Sequence, residues 1–240
     1  MNIVVVFPGQ GSQSIGMLSD YAADWPQVQE TFQQASDVLG YDTWDIVCNG
    51  PAEKLNQTEV TQPVMLAADI AVMRVMQQQC MLTPIVFAGH SLGEYAALVA
   101  AQSLDFTDAI KLVAKRGQLM QAAVPEGEGA MAAIIGLPDD PIISICEQVT
   151  ADVGKPVEAV NFNSPGQVVI AGATEAVNAA MERLKEEGAK RALPLPVSVP
   201  SHSSLMKPAA EQLAEYMKDI NIEKPKIQVI HNVDAKSHDE

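Results

Sequence analysis

Residues 84–101, PIVFAGHSLGEYAALVAA, contain the transition that decides the fold. The first five of them, 84–88, form an apolar, β-rich run, which is typical of a parallel strand buried on both faces. A glycine-flanked turn follows at 89–93, and the small residues Ala96 and Ala97 behind it would let a helix sit close to the sheet. This strand-to-helix transition indicates an α/β fold.

The same alternation occurs elsewhere in the chain. Apolar runs at 3–7 and 227–230 predict two more buried strands, and helical patterns occupy 64–79 and 107–123. Strands that alternate with helices favour a mostly parallel sheet with helices on both faces.

The segment 128–196 has a different pattern. Its predicted elements are a strand at 130–136, a helix at 139–150, strands at 157–162 and 167–172, a helix at 174–187 and a strand at 191–195. The order β-α-β-β-α-β is the ferredoxin-like motif. Because both flanks of the segment are rich in proline and glycine, we expect a small subdomain at 128–196, inserted into a large α/β core of residues 1–127 and 197–240.

The composition limits the possible partners and compartments. A net charge of −15 repels nucleic acids and anionic membranes, so we expect neither as a partner. Cys48, Cys80 and Cys146 lie far apart, which predicts neither a disulfide framework nor a zinc site. The sequence shows no signal-peptide pattern and no apolar run near the ~18 residues of a membrane span, so the cytoplasm is the expected compartment.

Residues 89–93, GHSLG, match the G-x-S-x-G motif between a predicted strand and a predicted helix. A sharp turn of this kind holds the serine strained and exposed, and side chains at either glycine would collide with neighbouring backbone. Free N–H groups at the start of the helix favour negative charge beside the hydroxyl. The motif predicts Ser91 as a nucleophile, and the alternative is a purely structural turn.

A serine nucleophile needs a base, and the sequence has four histidines. His90 adjoins Ser91 and points away from it at such a turn, while His231 and His238 lie near the end of the sequence. His202 follows a short β-rich run, in a loop of small polar residues, where a base on a rigid scaffold is expected. By elimination His202 is the favoured base, against the alternative of a structural loop histidine. No acidic partner stands out for it, and a backbone carbonyl could orient the imidazole instead.

Arg116 lies on or beside the apolar face of the helix predicted at 107–123. A guanidinium turned inward needs an anionic partner, because burying its charge unpaired is costly. Two partners remain open: an internal Asp or Glu, or a substrate carboxylate that the guanidinium holds bidentately.

The loop PGQGSQ, residues 8–13, directly follows the first predicted strand. It is neither a P-loop nor a dinucleotide fingerprint, because it lacks the Gly-Lys-Ser/Thr ending and the third glycine. Its glycines still bring backbone close to the carboxyl ends of the strands, where α/β proteins bind ligands. The backbone N–H groups of Gln10 and Leu92 could together form an oxyanion hole, and the alternative is an ordinary tight turn.

Six motifs span essentially the whole sequence, in this order: FPGQGSQ (7–13), TQP (61–63), GHSLGEY (89–95), KRG (115–117), NFNSPGQVVIAG (161–172) and VPSHSSLMKPA (199–209). With them the sequence closely resembles the malonyl-CoA:acyl carrier protein transacylase family of fatty-acid synthesis. The resemblance implies a three-layer α/β-hydrolase-like core with an inserted ferredoxin-like subdomain.

The resemblance also implies roles for individual residues. Ser91 is the implied nucleophile, His202 the base and Arg116 the clamp for the malonyl carboxylate. The backbone groups of Gln10 and Leu92 are the implied oxyanion donors. Three further residues are implied to line the pocket, namely Gln62, Asn161 and Gln167.

The implied activity is ping-pong transfer of a malonyl group from malonyl-CoA to the phosphopantetheine thiol of acyl carrier protein, through a malonyl-serine. We expect no cofactor, no metal and a monomer. Two alternatives stay open: a serine thioesterase or esterase of the α/β-hydrolase type, and a truncated, silent domain that only binds acyl-CoA or carrier protein. Family members continue beyond HNVDAKSHDE (231–240), so we expect the part with the last helices, and with a glutamine whose carbonyl orients the histidine, to be missing.

Overall fold

The computed structural model describes residues 3–80, 83–197 and 199–238. The strands in this part of the chain are β1 (Ile3–Phe7), β2 (Pro84–Gly89), β3 (Gly129–Ile135), β4 (Val157–Ser164), β5 (Gln167–Ala173), β6 (Arg191–Pro194) and β7 (Gln228–Ile230). The helices are α1 (Ser19–Asp24), α2 (Pro26–Leu39), α3 (Thr43–Asn49), α4 (Ala52–Leu55), α5 (Thr58–Gln79), α6 (Gly93–Ala100), α7 (Phe106–Ala123), α8 (Asp139–Val153), α9 (Thr174–Glu186) and α10 (Lys207–Met217). A 3-10 turn at Ser204–Met206 precedes α10.

The chain divides into two compact units. The first comprises Met1–Gly117 and Tyr216–Glu240, and the second comprises Gln118–Glu215. The second unit includes the whole of segment 128–196. The boundaries inferred from the sequence, 1–127 with 197–240 for the core and 128–196 for the subdomain, stay a prediction.

The first unit holds a parallel sheet in the order β1-β2-β7. In its register Phe7 lies beside Gly89, and Ala88 lies beside Ile230. The carboxyl ends of all three strands therefore meet at one edge, and the loops that leave them lie next to one another. Helix α6 packs on this sheet with Ala96 and Ala97 fully buried. The predicted parallel α/β arrangement is confirmed.

The second unit holds an antiparallel sheet in the order β4-β5-β3-β6. Its elements follow one another along the chain as β3-α8-β4-β5-α9-β6. Helices α8 and α9 bury their apolar residues against the sheet, and this core includes Ile134, Ile142, Ile170 and Leu184, all fully buried. The fold is thus mixed α/β with one parallel and one antiparallel sheet.

Helix α5 begins six residues before the predicted start at residue 64. Pro63 directly precedes this predicted start, and proline disfavours helical backbone in the residue before it. In the structure Pro63 lies inside the helix, and nearly every residue of the first three turns is buried. The hydroxyl of Thr61 also donates a hydrogen bond to the carbonyl of Leu55 at 2.6 Å, which joins the first turn of α5 to the end of α4. Packing around the helix outweighs the local preference of the proline.

Candidate active site

Ser91 occupies the turn between β2 and α6, with a backbone φ of 52°. Residues other than glycine rarely adopt this left-handed backbone conformation, and strained residues of this kind cluster at functional sites. The side chain of Ser91 is half-buried and lies at the start of α6, where the N–H groups and the helix dipole favour negative charge.

The two glycines of the turn are required by close packing. A Cβ atom on Gly89 would lie 2.0 Å from the carbonyl carbon of Gly93. A Cβ atom on Gly93 would lie 2.2 Å from the carbonyl oxygen of Phe7, at the end of β1. The collision expected from the sequence is therefore confirmed: the turn closes on itself and on the neighbouring strand.

The loop after β1 lies directly against this turn. The N–H of His90 donates to the carbonyl of Phe7 at 3.0 Å, and a Cβ atom on Gly9 would lie 2.4 Å from the carbonyl oxygen of His90. Within the described part of the chain, the backbone N–H groups of Gln10 and Leu92 have no hydrogen-bond partner. Unpaired N–H groups beside a nucleophile are what an oxyanion hole requires.

Arg116 reaches Ser91 from helix α7. Its Nη2 donates to the Ser91 hydroxyl oxygen at 3.1 Å, and its Nη1 donates to Oε1 of the fully buried Gln62 at 2.9 Å. The next residue, Gly117, brings α7 against the start of α5, because a Cβ atom there would lie 2.6 Å from the Cα of Glu59. Close contact of the two helices thus sets the position of the guanidinium.

The hydrogen-bond partners of Arg116, Gln62 and Ser91, are uncharged. Among the described residues no Asp or Glu forms an ion pair with it, so the internal ion pair left open by the sequence is not formed. Its Cζ lies 5.5 Å from the centre of the Tyr95 ring, which gives a cation–π contact. Burial raises the pKa of the Tyr95 phenol above its ordinary value, although the charge of Arg116 opposes the shift. Because no carboxylate is paired with the guanidinium, its N–H groups can donate to an anionic ligand.

The other three sequence-predicted site residues lie in the second unit. His202 is exposed, has a φ of 65° and directly precedes Ser203, whose hydroxyl donates to the carbonyl of Pro200 at 2.7 Å. Asn161 lies in β4 opposite Val169, and the exposed Gln167 begins β5. The structure thus brings Ser91, Arg116 and Gln62 together in the first unit, while His202, Asn161 and Gln167 belong to the second.

Sequence reasoning missed Asn232 and Glu94. Asn232 bonds to both sides of the turn that carries Ser91, and Glu94 accepts a hydrogen bond from the backbone of Asn232. One signal was present: the stretch HNVD directly follows the apolar run of β7. Residues at the carboxyl end of a parallel strand commonly belong to the site of an α/β protein.

Among the residues that the structure describes, no group of three or more His, Cys, Asp or Glu side chains is arranged to hold a metal ion. No helix of the described chain is long and apolar enough to cross a membrane.

The acyl transferase domain family matches residues 4–240, and the chain belongs to this family. Within it the chain is similar to the malonyl CoA-acyl carrier protein transacylase of Haemophilus influenzae, with 62% identity over 237 residues. The alignment covers 98% of this chain and 75% of that protein. The family resemblance seen in the sequence motifs is confirmed.

Solved structures agree with this assignment. A malonyl-transacylase in complex with a type II PKS acyl carrier protein has a TM-score of 0.97 at 55% identity, covering 100% of this chain and 77% of that one. The malonyl CoA-acyl carrier protein transacylase of Coxiella burnetii has a TM-score of 0.97 at 54% identity, covering 100% of this chain and 75% of that one.

Proposed function

We propose that this chain transfers a malonyl group from malonyl-CoA to the phosphopantetheine thiol of acyl carrier protein, in fatty-acid biosynthesis. One observation carries the proposal: a half-buried guanidinium with uncharged partners lies within hydrogen-bond distance of the serine of a G-x-S-x-G turn. The relatives named above are malonyl transacylases, which supports the same reaction.

The position of Arg116 suits an acyl group that ends in a carboxylate. In a malonyl-serine only the carbonyl carbon and one methylene separate the Ser91 oxygen from the carboxylate carbon. A guanidinium that already contacts this oxygen needs only a small movement to bind that carboxylate. A charge-assisted, bidentate pair of this kind is strong and specific for planar carboxylates.

In the first half-reaction His202 takes the hydroxyl proton of Ser91, whose oxygen attacks the thioester carbonyl carbon of malonyl-CoA. The resulting oxyanion accepts hydrogen bonds from the backbone N–H groups of Gln10 and Leu92. The carbon–sulfur bond then breaks, and the coenzyme A sulfur leaves with the proton from His202. The malonyl group remains on Ser91, with its carboxylate on Arg116.

In the second half-reaction the phosphopantetheine thiol of the carrier protein gives its proton to His202. Its sulfur attacks the carbonyl carbon of the malonyl-serine, and the ester bond to Ser91 breaks. The Ser91 oxygen recovers a proton from His202, which returns the protein to its starting state. The pocket around the malonyl and pantetheine groups includes Gln62, Asn161 and Gln167 in this proposal.

The proposed architecture is a three-layer α/β-hydrolase-like core with an inserted ferredoxin-like subdomain. Two observations support it: the parallel sheet with α6 packed on it, and the β-α-β-β-α-β order of the second unit. We propose that the protein acts as a monomer in the cytoplasm and uses no cofactor. The three free cysteines fit a reducing compartment.

Mass spectrometry of the protein after exposure to malonyl-CoA tests the function. A malonyl adduct that forms in the unmodified protein, is absent in Ser91→Ala and moves to added carrier protein supports the proposal. Prompt release of free malonate without carrier protein would indicate a hydrolase instead. Failure to form any adduct would indicate a domain that only binds.

A further inference from the structure

Asn232 follows β7 and bridges the two sides of the turn that carries the nucleophile. Its Oδ1 accepts a hydrogen bond from the N–H of Ser91 at 2.7 Å, and its Nδ2 donates to the carbonyl of Gly89 at 2.6 Å. The backbone pairing between β2 and β7 reaches only Ala88 and Ile230. Beyond that point, the side-chain amide of Asn232 continues the bonding that a strand would otherwise provide.

Glu94 in turn holds Asn232. Its Oε2 accepts from the N–H of Asn232 at 2.8 Å, and its Oε1 lies 2.8 Å from Nδ1 of His231. Asn232 is therefore fixed at its backbone by the first turn of α6 and at its side chain by the residues just before α6. Supporting contacts of this kind keep a reacting group within the narrow tolerance that catalysis needs.

The bridge acts where the backbone is strained. Ser91 has a φ of 52°, and a residue stays in this conformation only when its surroundings over-determine it. The bond to Asn232 satisfies the N–H of Ser91, while the N–H of Leu92 has no partner among the described residues. The arrangement separates a positioning contact at residue 91 from an available donor at residue 92.

We propose that Asn232 is a positioning residue for acyl transfer: its amide clamps the Gly89–Ser91 turn and thereby aims the Ser91 hydroxyl. Asn232 acts through the backbone of Ser91 rather than on the acyl group. The inference rests on the proposed function, because it requires Ser91 to be the nucleophile.

The rate at which malonyl-CoA acylates Ser91, followed by rapid quenching and intact mass, measures this role. Asn232→Ala removes both hydrogen bonds, so we expect acylation about 10- to 100-fold slower at saturating malonyl-CoA, because small misplacements of a reacting group cost this much. The half-saturating malonyl-CoA concentration should change by less than about twofold, since no acyl contact is lost. The matched control is Asn221→Ala, which removes an exposed asparagine that contacts Glu223 and should acylate at the unmodified rate.

Asn232→Asp tests whether the hydrogen bonds of residue 232 matter or only its size, because Asp and Asn have nearly the same size. When protonated, the introduced carboxyl offers one donor and one acceptor as the amide does, but when ionised it has no donor for the carbonyl of Gly89. The acylation rate of this variant, divided by that of the unmodified protein at the same pH, should rise as the pH falls from about 7 to about 4, towards the ordinary pKa of an Asp carboxyl. Glu94 contacts Asn232 and the adjoining His231, His90 belongs to the same turn, and Arg116 contacts the Ser91 hydroxyl. The negative charge of Glu94 favours the protonated form of the introduced carboxyl, whereas the positive charge of Arg116 favours the ionised form. A ratio independent of pH would overturn the proposal.

Hydrogen exchange of the Ser91 amide, followed by NMR, provides a readout without catalysis. Exchange should be faster in Asn232→Ala than in Asn221→Ala, since only the former frees this N–H. A folded Asn232→Ala that acylates at the unmodified rate, or shows unchanged exchange, would overturn the positioning role. If Asn232→Ala does not fold, the pH-dependent ratio of Asn232→Asp decides. If the unmodified protein forms no malonyl adduct, the proposed function fails instead.

Discussion

The Nη2 of Arg116 donates a hydrogen bond to the hydroxyl oxygen of Ser91, over 3.1 Å. The two residues come from different elements, the turn before α6 and helix α7. This contact occupies an acceptor site of the oxygen and leaves the hydroxyl proton for a base. It also places a positive charge beside the atom that would carry the acyl group, so acyl choice should depend on Arg116.

Arg116→Ala should change which acyl group is transferred. We expect malonyl transfer to fall by about 100-fold, because a charge-assisted pair with the carboxylate is lost. Transfer of an uncharged group such as acetyl should stay the same or increase. The comparison of malonyl-CoA with acetyl-CoA checks this, with Lys115→Ala as the neighbouring control. Undiminished malonyl transfer in Arg116→Ala would show that the clamp assignment is wrong.

Gln62→Glu should weaken malonyl binding without removing the side chain. The new carboxylate would lie where Oε1 now accepts from Arg116, and it would pair with the guanidinium that the substrate needs. We expect the KM for malonyl-CoA to rise about 10-fold, whereas use of acetyl-CoA should change little. Gln29→Glu, on the exposed face of α2, is the control. An equal effect on both acyl groups would contradict this account.

Gly93→Ala should destabilise the fold through a backbone collision. The added Cβ would lie 2.2 Å from the carbonyl oxygen of Phe7, whereas at Gly11 it would meet no atom of another described residue within 4 Å. Gly11→Ala should therefore lose only about 1 kcal/mol, from its positive φ, and Gly93→Ala about 3 kcal/mol or more. Urea denaturation of the two variants measures the difference. Equal losses would mean that the turn is less tightly packed than the structure indicates.

Asp69 should make the stability of the fold depend on pH. Its Oδ2 is buried without a hydrogen-bond partner in the described chain, and burial raises the pKa of the carboxyl from 3.8 to about 8. Between about pH 4 and 8 the unfolded state ionises this group and the folded state does not, so the free energy of unfolding falls as the pH rises. The loss is at most about 1.4 kcal/mol per pH unit and ends above the folded pKa.

Asp69→Asn removes this titration. The variant should be more stable than the unmodified protein at pH 7, by a few kcal/mol in order of magnitude, and about equally stable near pH 4. Urea denaturation across this range checks the difference, with the exposed Asp24→Asn as control. A stability difference that does not vary with pH would contradict the prediction.

Much of the fold could be predicted because its signals are local. The apolar runs that became β1, β2 and β7 needed only their own residues to be recognised as buried strands. The start of α5 could not be predicted in this way. Pro63 indicates a boundary locally, and only the burial of the surrounding turns, a property of the folded chain, overrides it.

In the candidate site, too, features with local sequence signals could be predicted and features that depend on the folded chain could not. Ser91 could be predicted because strand, glycines and helix adjoin it in the sequence. The uncharged partners of Arg116 could not, because helical phase indicates that a side chain turns inward without showing what it meets. Asn232 lies 141 residues from Ser91 along the chain, and only the pairing of β2 with β7 brings the two together.

A crystal structure of the protein after exposure to malonyl-CoA tests the central claim most directly. We expect continuous electron density from the Ser91 oxygen through an ester to a malonyl carboxylate, with that carboxylate within hydrogen-bond distance of the Arg116 guanidinium. An unmodified Ser91, or a malonyl-serine whose carboxylate points away from Arg116, would contradict it.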